Sequence, residues 1–308
     1  MQYTFHQLKI FTRIAKLGSI TKAAEELHLS QPALSIQLRN FQDQFDIPLT
    51  EIVGKKLYLT DFGQEILAYA ERILDQAGAM DDVVQSYKGQ LTGKLKIAVV
   101  STGKYVIPYL LTDFLNAHPA ITLELDVTNK EKVIESLEQN SIDFALVSLV
   151  PGHLKTESIP IVRNTMYLIG AYQSKKSQKE LSINELHQLP WIFREQGSGT
   201  RQMMERFLSQ RHITVQKMLE LTSNEAVKQA IMANLGYSIM PLIGIKNELK
   251  RNQLMIVPVK GLPIHTTWRI IWLKGKKHSP VVKTLLGYIK DNKKKILQEH
   301  FDIQDNMP

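Results

Sequence analysis

Cysteine is absent from the 308 residues, which excludes disulfides, thiolate metal sites and thiol-based redox sensing. Long apolar runs are missing too. No uninterrupted stretch approaches the roughly 20 residues that cross a bilayer, so no membrane partner is expected. The opening segment, MQYTFHQLKIF, has no charged head ahead of an apolar core, and a cytoplasmic location is expected. The nine histidines stand singly, with no HxxxH pair and no carboxylates at metal or triad spacing. No metal, no cofactor and no catalytic residue is therefore expected.

What is present is ordinary for a soluble globular chain, with 44% apolar and 22% charged residues. The length calls for two or three domains. The net charge of +8 is unevenly spread. Residues 1–60 hold 7 basic against 5 acidic groups, residues 61–245 hold 18 against 20, and residues 246–308 hold 13 against 5. The basic surplus thus sits in the last fifth of the chain, notably Lys274, Lys276, Lys277 and the Lys293–Lys295 run. A lysine-rich terminal helix reads first as a solvated face.

Three composition regimes follow one another. Residues 4–45 have a helical pattern punctuated at Gly18 and Ser30, and DIPLTEIVGKKLYLT suits a small hairpin or wing around residues 54–56. A long helix is expected from about Asp61 to Gly89. On it Ile66, Ala70, Ile73, Ala77, Met80, Val84 and Tyr87 recur at spacings of four and three, a heptad seam that suits a partner helix. After Thr92-Gly93, apolar runs such as KLKIAVV, ITLELDV, FALVSLV, MYLIGAY and LMIVPV alternate with helical segments. Such alternation predicts α/β domains with mostly parallel sheets.

Within residues 19–38 the chemistry points to DNA. Ser19 and Ser30 can cap successive helices, and the first turn after Ser30 accepts Pro32, whose missing N–H costs nothing there. Leu34, Leu38, Phe41 and Phe45 share the inward side of the second helix. The opposite side presents Pro32, Ser35, Ile36 and Arg39, with Gln31 and Gln37 at its edges. Ala23 and Ala24 on the first helix are small enough for close crossing. This is a helix-turn-helix pattern.

Residues 1–60 resemble the winged helix-turn-helix of LysR-type transcriptional regulators, whose SQPAxS core stands here as Ser30-Gln31-Pro32-Ala33-Leu34-Ser35. The resemblance covers the chain in order. It implies a DNA-binding domain over 1–60, a linker and dimerisation helix over 61–91, and a two-lobed α/β sensor like a periplasmic binding protein over 92–308. Lobe I would take about 92–162 and 266–308, and lobe II about 163–265. Gln31 and Ser35 would read base edges and Pro32 thymine methyls. Arg39 would take a base or phosphate, and Lys55 and Lys56 on the wing would reach the backbone or minor groove. Ile36 stands where family members often carry a basic residue, so a methyl contact is expected there.

In the sensor, Ser101-Thr102-Gly103 ends one strand, Thr128-Asn129 another and Ser148 a third, where ligands of α/β sheets usually sit. The segment REQGSGTRQMMERF adds Gly197, Ser198, Gly199, Thr200 as a helix cap, and Arg201, a combination that favours a carboxylate or phosphate. A small anionic metabolite between the lobes is expected. The remaining implied partners are a double-stranded DNA operator, further copies of the chain as a dimer or dimer of dimers, and RNA polymerase if the protein activates.

STGKYVIP and NKEKVIESLEQNSIDFALVS resemble in particular the regulators of carbon-fixation operons and their sulfur- and nitrogen-assimilation relatives. Those carbon-fixation regulators usually continue with Gly-Arg-Pro-Pro, whereas this chain has Leu149-Val150-Pro151-Gly152. Their effectors are therefore not carried over.

Overall fold

The computed structural model describes residues 3–54, 56–87, 90–172, 179–215 and 217–301. The chain divides into two compact units, residues 1–90 and 91–308.

In the first unit, local chemistry sets each boundary. Thr4 and Gln7 form a reciprocal capping box that starts α1 (Phe5–Leu17), and Gly18 ends it in the left-handed conformation, at φ 57°. Ser19 accepts from the Lys22 amide to start α2 (Ile20–Glu26), and Ser30 accepts from the Ala33 amide to start α3 (Gln31–Gln42). Leu34, Leu38 and Phe41 of α3 are buried, with Phe41 against Phe11 at 5.1 Å and Phe45 at 5.2 Å between ring centres. The strands β1 (Thr50–Val53) and β2 (Lys56–Leu59) pair as an antiparallel wing.

Next comes α4 (Asp61–Tyr87), and here the structure redistributes the expected seam. Ala70 is buried in the core of its own unit, and Ile66, Leu67 and Leu74 pack on the same core. The N-terminal turns of α4 thus serve intramolecular packing, because their small and aliphatic positions face α1. Tyr69, Ile73, Met80 and Val84 remain exposed, and Ala77 is half-buried. The Tyr87 side chain lies outside the described residues.

The second unit holds two lobes. In lobe I, β3 (Gly93–Val100) leads through α5 (Ile107–Ala117) to β4 (Ile121–Thr128), then through α6 (Lys130–Glu138) to β5 (Phe144–Val147). These three strands are parallel, with β3 central. The long β6 (Thr156–Ala171) carries the chain into lobe II. There α7 (Ile183–Gln188), β7 (Trp191–Arg194), α8 (Gly199–Gln210), β8 (Lys217–Leu221), α9 (Asn224–Met232), β9 (Ser238–Pro241), α10 (Lys246–Lys250) and β10 (Leu254–Val257) follow. The chain returns along β11 (Ile264–Leu273), and α11 (Pro280–Phe301) packs on lobe I.

The sheets are mixed rather than mostly parallel. β6 pairs antiparallel with β11, β9 and β10, and β11 pairs antiparallel with β5, while β7 and β8 are parallel. The reason is topological: each lobe is entered and left along the same two neighbouring strands, which must run in opposite directions. The apolar cores change over between Val162 and Met166 on β6 and between Ile264 and Trp268 on β11. A register shift between Thr267 and Arg269 interrupts the β6–β11 ladder at the same level. The short α7 and α10 went unpredicted, although Ser182 and Glu185 form a capping box of readable spacing.

Candidate functional site

On the first unit, α3 exposes Gln31, Pro32, Ile36 (57% exposed) and Arg39, with Ser35 and Gln37 partly covered. Gln31 Nε2 lies 3.4 Å from Ser35 Oγ, so these two short polar groups orient one another on the outer face. Ser19 and Ser30 spend their hydroxyls as caps. Lys56 is exposed at the wing, and Lys55 lies outside the described residues. Ile52 and Val53, overlooked in the sequence, are also exposed on the wing and add apolar surface there.

In the second unit a narrow cleft opens between the lobes. It gathers six of the expected residues: Ser101 and Thr102 after β3, Asn129 before α6, Ser148 after β5, and Ser198 and Thr200 at the start of α8. Ser198 rather than Thr200 holds the cap position of α8, and neither Ser198 nor Thr102 makes a side-chain capping bond. Both are buried and line the cleft. Asn129 does cap: its Oδ1 accepts from the Lys132 amide at 3.0 Å.

Three expected residues lie elsewhere. Thr128 pairs in register with Val100 and leaves the wall to that residue. Gly197, at φ 78°, packs against the Glu131 side chain so closely that a Cβ would collide with it. Arg201 is committed to Glu205 at 2.6 Å, Glu220 at 2.7 Å and the Arg194 carbonyl at 3.0 Å. Those carboxylates hold its pKa above the ordinary guanidinium value, their bonds outweighing the opposing effect of burial. Gly197 and Arg201 instead border an outer groove with Glu131, Glu138 and His153.

Arg194 was missed. It ends the apolar strand β7, is only 2% exposed, and lies on the cleft wall. Its Nε and Nη2 donate to Glu195 at 2.7 and 2.8 Å, and Nη2 also reaches Ser101 Oγ at 3.2 Å. Nη1 is buried and has no partner. Asn224, at the start of α9, donates from Nδ2 to the same Ser101 oxygen at 3.2 Å. One lobe I hydroxyl thus accepts from two lobe II side chains. Lys130, a further cleft residue, has its pKa pushed down by burial, and its Nζ donates to Gln202 at 2.8 Å. Among the described residues no group of His, Asp or Glu is arranged to hold a metal ion. No described helix is long and apolar enough to cross a membrane.

Residues 5–64 match the family described as bacterial regulatory helix-turn-helix protein, lysR family, and residues 88–294 match the LysR substrate binding domain. The chain belongs to the LysR family of transcriptional regulators. It is 38% identical over 290 residues to the RuBisCO operon transcriptional regulator of Allochromatium vinosum, covering 94% of this chain and 96% of that one. It is 35% identical to the HTH-type transcriptional activator CmpR of Synechocystis, covering 93% and 94%. As a LysR-type regulator it is not an enzyme, and its likeness to regulators of carbon-fixation operons extends over nearly the whole chain.

Among solved structures, the regulatory domain of Synechocystis CcmR in complex with 2-PG matches with a TM-score of 0.61 and 30% identity, covering 69% of this chain and 99% of that one. Full-length CbnR complexed with its target DNA shares the fold, with a TM-score of 0.71 at 24% identity, covering 94% and 99%. The helix-turn-helix unit is therefore the DNA-binding part of this regulator, and the two-lobed unit its effector-binding part.

Proposed function

We propose that a small anionic metabolite binds in the cleft between the lobes and, through it, modulates operator binding or promoter activation, in either direction. The observation that carries this is the buried Arg194 guanidinium, whose Nη1 has no partner, on a wall that also carries the hydroxyl residues Ser101, Thr102, Ser148, Ser198 and Thr200. Glu195 neutralises part of the arginine charge. The N-termini of α6 and α8, which border the same cleft, and Lys130 add the rest of the positive potential. Hydroxyls, amides and a fixed arginine recognise an anion without any group placed to break bonds. The 2-PG carried by the CcmR domain supports a ligand of this class.

A ligand that prefers one separation of the lobes shifts the population of that state. Only a difference in affinity between the two states does so. On the DNA side, Gln31 and Ser35 are assigned to base edges, Pro32 and Ile36 to thymine methyls, and Arg39 and Lys56 to phosphates. The exposed Ile73, Met80 and Val84 of α4 are assigned to a second copy of the chain, within a dimer or dimer of dimers. RNA polymerase would be the further partner of an activator, and the cytoplasm the place of action.

The test is calorimetry of the full chain with small carboxylates and phosphate esters, starting with 2-PG. Arg194→Gln, Thr102→Val and Thr200→Val should each weaken the effector by roughly tenfold or more, as expected for loss of a charge-assisted or buried hydrogen bond. An effector that bound all three variants like the parent, or that proved to be a cation, would sink this reading.

A further inference from the structure

We propose a second ligand site at the crossing strands, suited to a small oxyanion that also carries a hydroxyl proton, as inorganic phosphate does. It is a small concavity walled by Arg163, Asn164 and Thr165 of β6, Leu242, Lys246 and Phe301. None of these residues borders the effector cleft.

Asn164 carries the first half of the argument. It is 4% exposed, and its Nδ2 donates to Thr266 Oγ at 2.9 Å while its Oδ1 is buried without a partner. Turning the amide over only moves the deficit, because the single Thr266 hydroxyl can satisfy one end and not both. An amide with this unmet capacity is costly unless something enters to meet it.

Lys246 carries the second half. Its ammonium is held below the ordinary lysine pKa by burial and by the like charge of Lys250. No carboxylate lies within ion-pair distance of it among the described residues. A water molecule could bridge both groups but would leave the ammonium without a counter-charge; an anion that carries a proton meets the amide and the charge together. Phosphate does so in one molecule: oxygens accept from Lys246, and a P–OH donates to the free amide oxygen. Arg163, which has other interactions, borders the same space and raises its positive potential.

The position gives the site a consequence. Phe301 belongs to the core of lobe I and Leu242 to that of lobe II, while residues 163–165 lie between them on β6. An occupant touches both lobes at the level where they pivot. It supplies a second input to the same equilibrium that the effector shifts.

Equilibrium dialysis of the full-length protein with labelled inorganic phosphate tests this. The parent should take up phosphate, Arg194→Gln should retain that uptake, and Lys246→Gln should weaken it about tenfold. Asn164→Leu should do the same, with its thermal transition followed to show that it is folded. Sulfate, which has no proton to donate near neutral pH, should compete less well than phosphate. The proposal is overturned if the parent takes up no phosphate, if Lys246→Gln binds as the parent does, or if Arg194→Gln abolishes all uptake. Equal competition by sulfate would overturn the role given to Asn164.

Discussion

Arg194, buried, and Asp143, partly buried, call for opposite readings. Arg194 lines a cleft and keeps an unmet donor, whereas Asp143 accepts from the Lys96 amide at 2.8 Å. Burial pushes the Asp143 pKa above the usual carboxylate range, against the lowering effects of that amide bond and of Lys276, His278 and Lys96. The folded state therefore holds this proton more tightly than the unfolded state. The resulting stability is complete below the unfolded value and is lost as pH rises through the raised folded value. Asp143→Asn keeps an acceptor and removes the charge, so it should flatten the stability profile just above the ordinary carboxylate range without loss at neutrality. Asp143→Ala should cost about 1–3 kcal/mol, because the Lys96 amide is left unpaired. Urea melts across that pH range check both, and a steeper profile for the asparagine variant would contradict the assignment. Neither residue was legible beforehand. The hydroxyls at strand ends were, since strand ends and caps are local features. Arg194 reads as the polar stop of the run WIFR, and only tertiary packing places it on a wall.

At the level of elements, α4 shows both the reach and the limit of periodicity. Its heptad spacing is real, and so is the helix, at Asp61–Tyr87. Periodicity says that a face is apolar, not what covers it. Ala70 meets its own unit, while Met80, 71% exposed, belongs to no core among the described residues. Ala70→Asp should therefore destabilise the DNA-binding unit by more than about 3 kcal/mol, as a charge buried without a partner. Met80→Asp should leave its melting within about 0.5 kcal/mol of the parent while weakening self-association. Denaturation and sedimentation together separate the two, and a Met80→Asp protein that sediments like the parent would remove this face from the interface. The start and the inward face of α3 were legible, because the Ser30 cap, Pro32 and the buried leucines are all encoded within twelve residues, but Phe45, expected on the helix, lies beyond its end at Gln42, where the chain turns. The mixed sheet was not, because strand direction depends on which distant segments pair.

Over the whole molecule, the basic surplus and the helix-turn-helix lie at opposite ends of the sequence. The last 63 residues carry the net +8, but part of the lysine run has structural work: Lys293 donates to the Pro160 carbonyl at 3.3 Å. Lys294 and Lys295 are exposed on α11, far along the chain from the helix-turn-helix. Arg39→Ala should lower the salt slope of operator binding by about one, as for one lost phosphate contact. Lys294→Glu with Lys295→Glu should leave the slope unchanged. Retardation assays over a series of salt concentrations measure both, and a reduced slope in the lysine variant would make the basic terminus a second DNA contact.

The strands shared by the lobes also bear on how the chain is threaded. Asn164 and Thr266 face each other across β6 and β11, and antiparallel partners stand only about 5 Å apart. Everything between them, the whole of lobe II, leaves and rejoins lobe I through a doorway that one tight turn would close. In topology lobe II is an insertion with adjoining ends. A change in the length of its loops need not disturb the register of the first core, which α11 completes after the chain returns.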